Sequence, residues 1–103
     1  MEITTDGDTL ILRGDFDVRS TMQVRSAIYE HLAARGEGDV HIDLSDVRAI
    51  DLTALKVLAV ATRWASRSGQ HLTLRGCGPA VRRLLHLSRL IRVVEIEREA
   101  ATA

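Results

Sequence analysis

Aromatic side chains are scarce, with one Phe, one Tyr and one Trp among 103 residues. A surface that stacks nucleobases on aromatic platforms has little to build with here. Charge of one sign is lacking too: 14 basic residues balance 14 acidic ones, so the electrostatic footprint expected for nucleic acid or an anionic membrane is missing from the composition. The single cysteine, Cys77, has no partner for an internal disulfide and no second cysteine at zinc-ligand spacing, which suits a reducing compartment. No segment reaches the roughly 20 uninterrupted apolar residues of a membrane span, and Glu2 and Asp6 follow Met1 where a signal peptide would run apolar. These absences lead us to expect a cytoplasmic protein that does not insert into membrane, whose partner is another protein or a small ligand. The length suits one domain with one core, expected over residues 1–98 with a tail at 99–103.

What is present alternates between strand and helix signals. Ile3-Thr4-Thr5 and Thr9-Leu10-Ile11-Leu12-Arg13 flank Asp6-Gly7-Asp8, a hairpin pattern. A loop is expected over Gly14-Asp15-Phe16-Asp17-Val18-Arg19. Ser20 with Gln23 forms a capping-box pattern before Val24, Ala27, Ile28 and Leu32, which recur at helical spacing until Arg35-Gly36 ends the run. Val40, Ile42 and Leu44 alternate with His41 and Asp43 as a strand, followed by a tight turn. Asp51 is placed to cap a second helix reaching to about Ser68, with Gly69 as terminator. Leu72–Arg75 reads as a strand, and Gly76-Cys77-Gly78-Pro79 opens a third helix with Val81, Leu84 and Leu85 facing inward. Ile91–Ile96 reads as the last strand. This order implies an α/β fold: a mostly parallel sheet of about five strands with one antiparallel edge, and three to four helices mainly on one face.

Successive residues lie about 100° apart around a helix, which places Ala54, Val57, Leu58, Ala61, Trp64 and Ala65 of the second helix on one arc. Leu52 falls on the other side, near Lys56, Ala59 and Arg63. A leucine facing solvent at a helix N-terminus is therefore expected, with Thr53 near the boundary between the arcs, beside Val60.

Signals for catalysis or metal binding are weak. The histidines His31, His41, His71 and His86 sit on separate elements without ligand spacing, so no metal and no cofactor is expected. Cys77 precedes a helix whose dipole could activate it, yet no histidine is placed as its base. Asp15, Asp17 and Asp51 lie near strand ends facing one edge, and read either as a carboxylate cluster or as a solvated loop. Arg82, Arg83, Arg89 and Arg92 read as a solvated strip. Gly76-Cys77-Gly78 has no following lysine and is no P-loop. An enzyme is not expected.

Four fragments in this order carry a family resemblance. Gly14-Asp15-Phe16-Asp17 is similar to Gly-Glu-Leu-Asp, and Asp43-Leu44-Ser45-Asp46-Val47 to Asp-Leu-Ser-x-Val. Asp51-Leu52-Thr53-Ala54-Leu55 stands where the pattern reads Asp-Ser-Ser/Thr-Gly-Leu. Gly78 to Leu90 resembles Ser-Pro-x-Val-x-Arg-Leu-Phe-x-x-Ser-Gly-Leu. Together they resemble the STAS domain of bacterial anti-sigma-factor antagonists, over nearly the whole chain.

The resemblance implies a regulatory interaction module in transcription signalling. Its partner would be an anti-sigma factor with a kinase-like ATPase fold, engaged through Asp15, Asp17, Arg19, Asp51, Leu52, Thr53, Lys56 and Arg63. Stand-alone STAS domains also resemble accessory subunits of lipid-transporting ABC transporters, which would make an ATPase subunit the partner instead. The family's phosphoacceptor follows the Asp; this chain places Leu52 there, which cannot take phosphate, and leaves Thr53 as the alternative hydroxyl. Ala54 stands where the family usually has Gly, so a closer-fitting kinase is expected to meet an extra methyl group.

Overall fold

The computed structural model describes residues 1–97. Strands β1 (Glu2–Asp6) and β2 (Thr9–Phe16) form the expected hairpin, with Gly7 at φ +60 in its turn. Then follow α1 (Thr21–Arg35), β3 (Val40–Ile50), α2 (Leu52–Arg67), β4 (Leu72–Arg75), α3 (Pro79–Leu87), a 3₁₀ turn at Leu90–Arg92 and β5 (Glu95–Ile96). The expected domain boundary at residue 98 and the tail lie outside the described residues.

The five strands stand in sequential order, β1-β2-β3-β4-β5, antiparallel only between β1 and β2. Each crossover moves one strand in the same direction. Right-handed connections of that kind put their helices on one side of the sheet. Leu10, Leu12 and Phe16 of β2, Val40, Ile42 and Leu44 of β3, and Leu72 and Leu74 of β4 are buried on that side, against Val24, Ile28 and Leu32 of α1 and Leu55 and Leu58 of α2. Positions in between supply the opposite, open face, where Arg13 pairs with Glu2 and Asp46, His41 lies 3.7 Å from Asp8, and Arg75 pairs with Glu97.

Five local expectations are corrected. Gly14 to Phe16 belong to β2, and β3 does not stop at Leu44 for a tight turn but runs to Ile50. The register shifts between Ile11 and Arg13 and again between Gly14 and Asp15, each time leaving an extra residue on β3. Such bulges break the period of two that reveals a strand in sequence. The last strand is only Glu95–Ile96, because the apolar run before it winds into the 3₁₀ turn, where Val93 N–H donates to the Leu90 carbonyl at 2.9 Å.

The capping box at Ser20 does not form. Ser20 has ψ 0 instead of an extended backbone, and its hydroxyl is engaged backwards, accepting from Asp17 N–H and donating toward the Asp15 and Asp17 carbonyls. Gln23 donates to the Met1 carbonyl instead. On α2 the buried arc is Ala54, Leu55, Leu58, Ala59, Ala61, Thr62 and Ala65. Relative to the expected arc it is rotated so that Ala59 turns inward while Trp64 is 45% exposed, since α1 flanks only one side of α2 and β4 and the 3₁₀ turn lie under the other.

Candidate functional site

The first turn of α2 emerges where β2 and β3 end together, Phe16 opposite Ile50. Asp51 is extended (φ −111, ψ 175), as an N-cap requires, and its Oδ1 accepts from Ala54 N–H at 2.8 Å. Its other oxygen, Oδ2, accepts from Val18 N–H at 3.2 Å, and its own N–H donates to the Phe16 carbonyl at 3.3 Å. One carboxylate thus caps the helix and ties the preceding loop to it.

That loop is ordered by a second aspartate. Asp17 accepts from Arg19 N–H (2.9 Å) and from the Arg19 guanidinium (2.7 Å), and these bonds hold its carboxyl below the usual 3.8. Asp15 joins only through its carbonyl, which accepts from Ser20. Asp17 and Asp51 each have their own donors, and Asp15 and Asp17 instead line a polar hollow with Arg13, Arg19 and Arg48. The arrangement is a braced loop. Among the described residues no group of three His, Cys, Asp or Glu could hold a metal ion.

Leu52 is 41% exposed, on the outer side of α2 as the helical projection places it. Thr53 is exposed as well, but lines a cleft between α1 and α2 with Arg25, Tyr29, Lys56, Val57 and Val60. Its hydroxyl has no hydrogen-bond partner among the described residues. Lys56 and Arg63 are exposed farther along the helix. Ala54 is wholly buried, which corrects the expectation for this position: its methyl group packs inward and cannot obstruct a partner.

The remaining candidates disperse. Cys77 is buried under the start of α3, and that burial pushes its thiol up, away from reactivity, with Arg82 opposing only weakly. His31 is buried in α1, His41 faces Asp8, His71 lies 3.3 Å from Glu95, and His86 is exposed on α3.

Sequence reasoning missed several exposed apolar residues around the site. Val18, Met22 and Val60 are 64%, 70% and 58% exposed, and Tyr29 meets Trp64 edge-on with ring centroids 5.2 Å apart. The available signal was Trp64 next to Arg63 on a helix with no acidic residue.

A family model described as "Mlab, STAS domain" matches residues 1–95. No curated protein matches the chain. Among solved structures, a protein of Thermotoga maritima, TM1081, superposes with TM-score 0.77 at 23% identity over 97% of this chain and 87% of its own. An anti-sigma factor antagonist from Mycobacterium paratuberculosis gives 0.74 at 22% identity, over 95% and 84%. A sulfate transporter family protein from Wolinella succinogenes gives 0.68 at 17%, over 86% and 74%. At these identities the structures establish a shared fold. The family match, covering nearly every described residue, together with the sequential sheet and the capped second helix, establishes that the chain belongs to the STAS domain family.

Proposed function

We propose that this STAS domain works by docking, binding an anti-sigma factor of kinase-like ATPase fold in the cytoplasm so that the sigma factor held by that partner is released. The contact is the first turn of α2 with the loop before α1, using Asp15, Asp17, Arg19, Asp51, Leu52, Thr53, Lys56 and Arg63. The observation that carries this reading is the exposed Leu52 on a rigidly capped first turn. Support comes also from the fold shared with an anti-sigma factor antagonist. The module has no reaction of its own in this reading.

A phosphate is tolerated at a helix N-terminus, where unpaired N–H groups and the dipole favour it, while its charge of about −2 disrupts an interface pressed against it. A serine in the place of Leu52 would therefore be a switch. Leucine offers no acceptor oxygen, so docking stays constitutive. Incubation with radiolabelled ATP and the kinase-like anti-sigma factor is expected to leave the wild type unlabelled and to label Leu52→Ser, which then loses the partner. Efficient labelling of wild-type Thr53 would overturn this.

A second reading replaces the partner with the ATPase subunit of an ABC transporter. It is favoured by the same missing acceptor, since such docking needs no phosphorylation, and by the occurrence of this fold in a sulfate transporter family protein. Co-purification separates the two by which ATPase is captured.

A further inference from the structure

We infer that the cleft between α1 and α2 docks an amphipathic helix with acidic flanks, presented by the partner protein. The inference rests on the docking reading for the identity of that partner, and adds the chemistry of the element it inserts. The cleft, roughly 230 Å³, has Val57 and Val60 on the α2 side and Tyr29 on the α1 side. Trp64 extends this surface through its edge-on contact with Tyr29, while the exposed Met22, one turn before Arg25, continues it toward the first turn of α1. Contiguous exposed apolar surface rimmed by polar residues marks an interaction site, and Trp, Tyr, Met and Arg are the residues enriched at such contacts.

Charge identifies the occupant. Arg25 and Lys56 border the cleft, with Arg63 farther along α2, and none has an ion-pair partner among the described residues. Helix α2 contains no Asp or Glu. Glu2, Asp46 and Glu97 are instead paired with arginines on the open sheet face. The net charge of zero therefore hides a cationic, apolar helix side. A partner helix laying apolar anchors at i, i+3, i+4 and i+7 into the cleft, with carboxylates on both flanks, matches it in shape and sign. A lipid surface would need the apolar groups to stand proud of the cations, whereas Tyr29 and Val57 are partly buried between the helices.

Trp64 is the only tryptophan, so its fluorescence reports on this surface directly. The probe is a synthetic helical peptide of about 18 residues with leucines at those spacings and glutamates flanking them, compared with the same peptide carrying lysine for glutamate and with a scrambled acidic peptide. We expect a saturable blue shift with the acidic amphipathic peptide, weakened at least about tenfold by Val60→Glu or Arg63→Glu and retained by Leu87→Ser, which alters an exposed leucine on α3. Both weakened variants alter exposed side chains, and circular dichroism confirms their folding. Equal responses to the acidic and basic peptides, insensitivity to Val60→Glu, self-association in place of peptide binding, or a response to anionic vesicles alone would overturn the inference. The titration needs no anti-sigma factor, so failure to capture a kinase-like ATPase would sink the earlier reading while leaving this result intact.

Discussion

Asp17 and Asp51 sit 34 residues apart in sequence and divide one task between them. Asp51 fixes where α2 starts, and Asp17 fixes the loop that Asp51 holds by Val18. Because the Arg19 hydrogen bonds favour the ionised form, the Asp17 carboxyl titrates below its ordinary value of 3.8. A depressed folded-state value means that the contribution is present above the unfolded value and is lost as pH falls through the folded one. Carboxyl NMR is expected to show Asp17 titrating below 3.8, and Arg19→Ala is expected to return it toward that value. An unchanged midpoint in the variant would show that the pairing does not persist in solution. The cap itself was legible in sequence, since an Asp before an apolar helical run has one common use. Its second bond, to Val18, was not, because it joins residues that only the pairing of β2 with β3 brings together.

At the scale of elements, the expectations held where one period ran undisturbed. The first half of β3, with Val40, Ile42 and Leu44 inward, is such a case, and so is α3 with Pro79 at its first position. They failed where geometry is set by a neighbour: the bulged second half of β3 exists because β2 continues beside it, and the inward turn of Ala59 follows from what packs on either side of α2. The turn after β4 is equally constrained. Gly76 has φ +72, and a Cβ there would lie 2.1 Å from Ser45 Oγ, which itself donates to Asp43 at 2.6 Å. Gly76→Ala is therefore expected to destabilise the protein by about 1–3 kcal/mol, measured by urea unfolding. Adding Ser45→Ala should recover part of that loss by removing the clashing oxygen, while the backbone strain remains. Equal stability of Gly76→Ala and wild type would contradict the close approach.

Over the whole molecule, composition misled in one respect. A balanced net charge suggested an electrostatically bland surface, yet the charge is partly segregated: the charged residues of α2 are all basic, while Glu2, Asp46 and Glu97 are paired with arginines on the open sheet face. Segregation depends on which face each residue occupies, and that is known only once the strands are aligned. The same alignment predicts graded protection. Residues 40–43 of β3 lie between β2 and β4, whereas those beyond Asp43 are paired only on the β2 side. In hydrogen–deuterium exchange the first group should exchange slowest, and alternate amides of residues 46–50 much faster. Uniform protection along β3 would show that its second half has an additional partner.

The sequential strand order also bears on how the chain acquires its shape. Every strand pairs only with the strands just before and after it in the sequence, so the sheet can be laid down one strand at a time as the polypeptide leaves the ribosome, without waiting for a distant segment. Such nearest-neighbour assembly spares the chain its longest loop closures and limits the time that unpaired edges stand open to other nascent chains.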